Sequence, residues 1–142
     1  MKKIVLTLII SLLLLGLLAC TAQNEADTTG ETAVIDIATL APEVDVQTAH
    51  ALKDHEEIFL LDVREQWEYD AGHIPNITLI PMGEIPDRIA ELPTDKEIIV
   101  TCRSGNRSGQ ITNFLREQGF TNVHNMQGGI LAWEEAGFDV ER

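Results

Sequence analysis

Cys102 stands where two sequence patterns meet. Before it runs Glu97-Ile98-Ile99-Val100-Thr101, a β-branched apolar stretch that reads as a buried strand. After it come the polar residues Arg103-Ser104-Gly105-Asn106-Arg107-Ser108, and then Gly109 to Arg116 in a helical pattern. A thiol between a strand end and a helix start meets unpaired N–H groups and the positive end of the helix macrodipole. Successive N–H groups in a tight turn also form a nest for a negative atom. Arg103 and Arg107 reinforce that positive field. Such surroundings bring a cysteine pKa from about 8.5 to roughly 3.5–7.5, so Cys102 is expected to be largely thiolate at neutral pH. Most buried free cysteines are small core hydrophobes. Two arginines and a Ser-Gly-Asn turn argue against an apolar pocket here. The expected site is therefore Cys102 as nucleophile, with Arg103, Ser104, Gly105, Asn106, Arg107 and Ser108 binding an anion.

The elements that must position this loop lie in the last hundred or so residues, enough for one domain with one core. Asp45 can cap a helix over Val46 to Asp54, and Ile58 to Val63 reads as a strand. A short helix is expected at Glu65 to Asp70, a strand at Thr78 to Ile80 and a helix near Gly83 to Glu91. The strand ending at Cys102 follows, then a helix from Arg107 to Gln118, a strand around Asn122 to Asn125 and a last helix from Gly129 to Ala136. Alternating strands and helices imply an α/β fold, a mainly parallel central sheet with helices on both faces. Ligands in such sheets bind beyond the carboxyl ends of the strands, where Cys102 falls.

The start of the chain reads differently. Met1-Lys2-Lys3 is basic, and Ile4 to Leu18 is an apolar run too short to span a bilayer but suited to a signal-peptide core. It ends in Leu17-Leu18-Ala19-Cys20, which looks like a bacterial lipobox, with cleavage after Ala19 and lipid on Cys20. An ordinary secretory signal cleaved after Ala19 or Ala22 is the plainer alternative. The expected organisation is a lipoprotein signal peptide over 1–19, a lipid-anchored acidic linker over 20–42 and the domain over 43–142. Within the linker only Val34-Ile35-Asp36-Ile37 is strand-like, and it reads equally as a less polar stretch of linker or as a piece that docks on the domain. The protein is expected outside the cytoplasm, tethered to a bacterial membrane. Thr21 after Cys20 is not the Asp that commonly retains lipoproteins at the inner membrane, which leaves the outer membrane open where the source has two.

The formal net charge is −13, and loss of Lys2 and Lys3 with the signal makes it two units more negative. That argues against nucleic acid as a partner. It does not exclude an anionic substrate, because at a Debye length of about 8 Å distant carboxylates are screened while the loop acts at contact range.

Several blocks together resemble the rhodanese (sulfurtransferase) family: Leu60-Leu61-Asp62-Val63-Arg64-Glu65, Ala71-Gly72-His73-Ile74-Pro75, the Cys102 to Ser108 loop, Gln118-Gly119-Phe120, and Gly128-Gly129-Ile130-Leu131-Ala132-Trp133. The resemblance implies a rhodanese-like fold. It also implies a sulfurtransferase that carries sulfane sulfur as a Cys102 persulfide, from an anionic donor such as thiosulfate to cyanide or a thiol. No cofactor is implied, and a redox protein is a candidate partner. The resemblance assigns Asp62 and Arg64 to support of the loop. The residues alone leave open that Asp62 caps the next turn and that Arg64 pairs with an acid such as Glu68.

His73 reads as a structural hydrogen-bonding residue, since a thiolate formed by its setting needs no general base. Asn76 stands where relatives often have Gly, and Asn tolerates left-handed backbone. His50, His55 and His124 have no ligand at metal spacing, so no metal is expected. Trp133 reads as core, and Trp67 and Tyr69 read as packing residues, either of which could instead rim the pocket. Gly128-Gly129 is placed to bring backbone close to the loop. Two rival functions remain. A cysteine phosphatase or arsenate reductase also brackets an anion loop with Cys and Arg, but four residues separate Cys102 from Arg107 where rhodanese-like phosphatases have five, and the domain has no second cysteine to resolve a disulfide. A non-enzymatic binding or sulfur-carrier module tethered at the membrane is the other.

Overall fold

The computed structural model describes residues 35–142. The expected signal peptide, Cys20 and the first part of the acidic linker lie outside the described residues.

Five strands form one sheet in the order β1-β5-β4-β2-β3: β1 is Glu43–Val44, β2 Ile58–Asp62, β3 Thr78–Leu79, β4 Glu97–Thr101 and β5 Val123–Met126. Every pairing is parallel. Helices α1 (Val46–Leu52), α2 (Gln66–Ala71), α3 (Ile85–Arg88) and α4 (Asn106–Glu117) lie in the crossovers, and α5 (Gly129–Glu135) follows the last strand. Asp45 caps α1 as the sequence suggests, its Oδ1 accepting from the Thr48 N–H at 2.7 Å.

The core lies in two layers because the strands alternate. On β4, Ile99 faces the layer built from Val46, Ala49, Leu52, Ile130 and Trp133 on α1 and α5. Ile98 and Val100 face the opposite layer, with Ile85, Ile111 and Leu115 from α3 and α4. The next residue in that alternation is Cys102, which joins the second layer. Its side chain is thus sent toward α4 by the same period of two that buries the isoleucines. Full burial of each such aliphatic side chain is worth about 1.5–3 kcal/mol.

One local expectation is corrected, and two short segments are placed by the fold. The helix read near Gly83 to Glu91 is three short pieces: 3₁₀ turns at Met82–Glu84 and Ile89–Glu91 flank α3. Pro86 at its start and the tight turns on either side prevent one continuous helix. The described part of the strand-like Val34 to Ile37 is not a strand, since Ile37–Thr39 is a 3₁₀ turn capped by Asp36. Ile35, Ile37 and Leu40 nevertheless pack on the first core layer, so hydrophobic contact rather than strand pairing holds them. The edge strand β1 had no sequence signature, two residues being too few to show a period.

Candidate active site

The residues of the Cys102 loop come together because β4 ends under the start of α4. The residue before the helix is Gly105, with φ of 91°, so its side is bare and no side chain caps α4. The cap is supplied instead by sulfur. Cys102 Sγ accepts from the Gly105 backbone N–H at 3.2 Å and from the Ser108 hydroxyl at 3.4 Å, and the N–H groups of Ser108 and Ser104 add to the cradle. The N–H groups of Gly105 and Ser108 are among the orphan donors that a helix start must satisfy.

The loop's carbonyl groups are tied back from the other side. Ile130 N–H donates to the Cys102 carbonyl at 2.9 Å and Leu131 N–H to the Arg103 carbonyl at 3.1 Å. With its oxygens held by α5, the loop turns its N–H groups toward the sulfur. This approach requires glycine: a Cβ on Gly129, whose φ is 58°, would collide with the Cys102 carbonyl and lie 2.6 Å from the Arg103 oxygen. The expectation for Gly128-Gly129 is met in these contacts.

Burial pushes the Cys102 thiol pKa up, but the Ser108 hydroxyl and the N–H groups of Ser108, Ser104 and Gly105 outweigh it and hold the thiol below its ordinary value. Cys102 itself is 1 % exposed. The arginines contribute less directly than the sequence suggested. Arg103 is exposed and makes no ion pair among the described residues. Arg107 is held by Glu68 through two 2.7 Å hydrogen bonds, which hold the Glu68 carboxyl below the usual range and raise the Arg107 pKa. The charge of Cys102 raises it further, so the guanidinium does feel the sulfur. Asn106, on the outer surface of α4, accepts from Gln110.

In Ser108→Ala the thiolate loses a donor that favours it over the thiol, so the pH midpoint of Cys102 alkylation should rise and the reaction at pH 7 should slow. Stability should fall by only about 1 kcal/mol, one buried hydrogen bond's worth. An unmoved midpoint would return the acidity to the helix field and the arginines.

Asp62 and Arg64 lie beside the loop because β2 pairs with β4 in a register that sets Asp62 against Thr101. They bind each other, Arg64 Nε and Nη2 reaching the Asp62 carboxylate at 2.7–3.0 Å, with both side chains buried. The Arg64 N–H also donates to Asp62 Oδ1 at 2.9 Å, so Asp62 does cap its turn. A side-chain pair between Arg64 and Glu68 does not form. Arg64 Nη1 donates to the Glu68 carbonyl at 3.1 Å and Nη2 to the Gly72 carbonyl at 2.8 Å, leaving the Glu68 carboxylate for Arg107. Support thus passes from Asp62 through Arg64 to α2, and from Glu68 to Arg107. Glu68 is the residue sequence reasoning missed as part of the site. Its partner is 39 positions away, and no local pattern announces it.

His73 is structural in its contacts: its ring stacks on Tyr69 at 3.7 Å, and its backbone bridges to Glu141. Asn76 adopts φ of 65°. Tyr69 packs and donates to the Ile77 carbonyl, whereas Trp67 is 72 % exposed and lines a cleft with Arg64, Glu68, Arg103 and Leu131.

The rhodanese-like domain family matches residues 45–136, from the cap of α1 to the end of α5. The chain belongs to the rhodanese-like family. A sulfurtransferase of Allochromatium vinosum is 38 % identical over 99 residues, covering 69 % of this chain and 92 % of that protein. The thiosulfate sulfurtransferase GlpE of Pseudoalteromonas translucida is 38 % identical over 85 residues, covering 60 % and 81 %. The crystal structure of a rhodanese-related protein from Thermoplasma volcanium superposes with a TM-score of 0.66 at 32 % identity, covering 71 % of this chain and 98 % of that one. The rhodanese-like α/β fold expected from the sequence is thus the fold observed.

Proposed function

We propose that this protein is a rhodanese-type sulfurtransferase working outside the cytoplasm, lipid-tethered through Cys20 to a bacterial membrane. The observation that carries the chemistry is the buried Cys102 sulfur, which accepts from Gly105 and Ser108 and is held below the ordinary thiol range. The location is supported by the Leu17-Leu18-Ala19-Cys20 pattern alone.

In the first half-reaction the Cys102 thiolate attacks the outer sulfur of an anionic donor such as thiosulfate. A new S–S bond forms, the donor's S–S bond breaks, and its electron pair departs with sulfite. Cys102 then carries a persulfide. The terminal sulfur is anionic at neutral pH, and donors pre-arranged around Sγ can hold the charge without reorganising. In the second half-reaction cyanide or a thiol attacks that sulfur, leaving as thiocyanate or a new persulfide and restoring the thiolate. A thiol of a redox protein can serve as this acceptor. The reaction needs neither metal nor cofactor, since sulfane sulfur passes between nucleophiles with no net redox change.

Intact-mass spectrometry of full-length protein purified from membranes tests both parts. A lipid mass at Cys20 is expected. After thiosulfate, the mass of one sulfur should appear on Cys102 and vanish with cyanide. A free Cys102 thiol after thiosulfate would favour the binding-module reading.

A further inference from the structure

We propose that the domain is held with the amino edge of its sheet toward the bilayer and the Cys102 loop toward the aqueous phase, so that the sulfur acceptor is a soluble thiol and not one borne on the lipid surface. This rests on the lipid-tether and sulfur-transfer readings above and adds the side from which the partner comes.

The first argument is where the chain enters the domain. In an all-parallel sheet every strand starts at one edge and ends at the other. Ile35 to Ala38 line a hollow with Glu57, Asp95 and Glu97, residues that lead into β2 or open β4. Cys102 follows the last residue of β4. From Glu97 to Cys102 the strand rises roughly 16 Å at about 3.3 Å per residue. Entry point and nucleophile thus lie at opposite edges of the sheet.

The entry is also fixed. Ile35, Ile37 and Leu40 pack on the first core layer. The Ala41 carbonyl accepts from His124 Nδ1 at 2.7 Å, and the Pro42 carbonyl accepts from the Asn125 N–H at 3.0 Å and from Arg116 Nη2 at 3.2 Å. The chain is therefore bound to the domain from Ile35 onward, not from residue 43 as the sequence suggested. Residues 21–34 separate that point from Cys20. A random coil of that length ends on average roughly 20 Å from its start. Turning the loop to the bilayer would spend most of that reach on running back past the sheet.

Nothing on the loop side draws it down to lipid. Arg103 stands in its cleft wall beside Glu68 and Glu134, so no basic patch is presented. Trp67 and Leu131 are two isolated exposed apolar side chains, which is ordinary for a solvated surface. The net charge of −13 repels anionic headgroups, which leaves the tether to set the orientation.

The test uses full-length lipidated protein in vesicles of phosphatidylcholine with a minor share of phosphatidylglycerol, its Cys102 loaded with sulfur from thiosulfate. Two acceptors are compared, glutathione in solution and a thiol carried on a lipid headgroup. In either case the acceptor thiolate bonds to the terminal sulfur, the S–S bond to Cys102 breaks, and its electron pair stays on Cys102 as thiolate. Tethering gives a headgroup thiol an effective concentration in the millimolar range, so without a preferred orientation it should match millimolar glutathione. We expect glutathione at about 1 mM to discharge Cys102 at least several-fold faster. Trp67 supplies a second readout, since it lies on the loop side and is 72 % exposed while Trp133 is 0 % exposed. The emission that Trp67→Phe removes should be quenched by acrylamide in the water and not by nitroxide-labelled lipid. Discharge by the headgroup thiol at an equal or greater rate, or quenching of Trp67 by the nitroxide lipid, would overturn the orientation while leaving tether and chemistry standing. Protein that does not float with the vesicles would overturn the tether and the orientation with it. Floating protein that takes no sulfur from thiosulfate would overturn the transfer reading, and the Trp67 readout would still decide the orientation.

Discussion

Cys102→Ser should reduce sulfur transfer to the uncatalysed background while the protein melts within a few degrees of the wild type. The two halves of this expectation have different causes. Activity depends on a thiolate at neutral pH, and a serine hydroxyl in the same cradle stays protonated and cannot carry a persulfide. Stability depends on volume and hydrogen bonding, and both are nearly preserved. The side chain is small and 1 % exposed, and a serine oxygen can still accept from the Gly105 N–H and the Ser108 hydroxyl. No cavity of consequence and no unpaired buried charge results, so the large-effect mechanisms are absent. The checks are sulfur loading by intact mass and a thermal melt on the same preparation. Residual transfer above background in the serine variant would remove Cys102 from the role of sulfur carrier.

The largest effect on stability is expected at Asp62. Replacing it with alanine leaves the buried Arg64 side chain, 5 % exposed, without its carboxylate. Breaking one side of a buried ion pair costs about 3–5 kcal/mol, a large share of the roughly 5–15 kcal/mol that holds a domain together. A surface pair is the contrast. Arg88 meets Glu84 and Glu91 at 2.9 and 2.7 Å, but in solvent, where screening leaves such pairs little worth, so Arg88→Ala should cost far less than Asp62→Ala. Asp62→Ala should also depress sulfur transfer in whatever fraction stays folded. Arg64 would loosen from the Glu68 and Gly72 carbonyls, and Glu68 would no longer be fixed against Arg107. Denaturant midpoints for the two variants decide the matter. A loss at Asp62 no greater than at Arg88 would show that the buried pair is not the strut we describe.

The lowered pKa of Cys102 rests on donors within six residues of it, which is why the loop is legible from the sequence. Strand, glycine turn and helix are consecutive in the chain, and each follows from a local pattern. β-branched alternation makes β4, the bare Gly105 opens α4, and the period of two aims Cys102 at it. The parallel sheet followed from the same kind of pattern repeated along the chain. Residues that carry no local period were not legible: the two-residue β1, and the Ile35 to Leu40 segment, which is placed by contact with the core.

What the tertiary structure decided is how the charges of the site are shared. From sequence, Arg107 is a free cation, and Glu68 is at most a candidate partner for Arg64. Only the parallel register that sets Asp62 beside Thr101, and the packing that brings α2 over the start of α4, turn these four residues into two neutralised pairs. The same packing lays the first N–H groups of α5 on the loop's carbonyls and leaves Trp67 and Leu131 at the cleft. The physical reason is the range of the forces. Hydrophobic period and backbone donors act between neighbours and are written in short windows of sequence. Coulombic pairing depends on distance in space, and residues 39 apart acquire a distance only when the chain has folded.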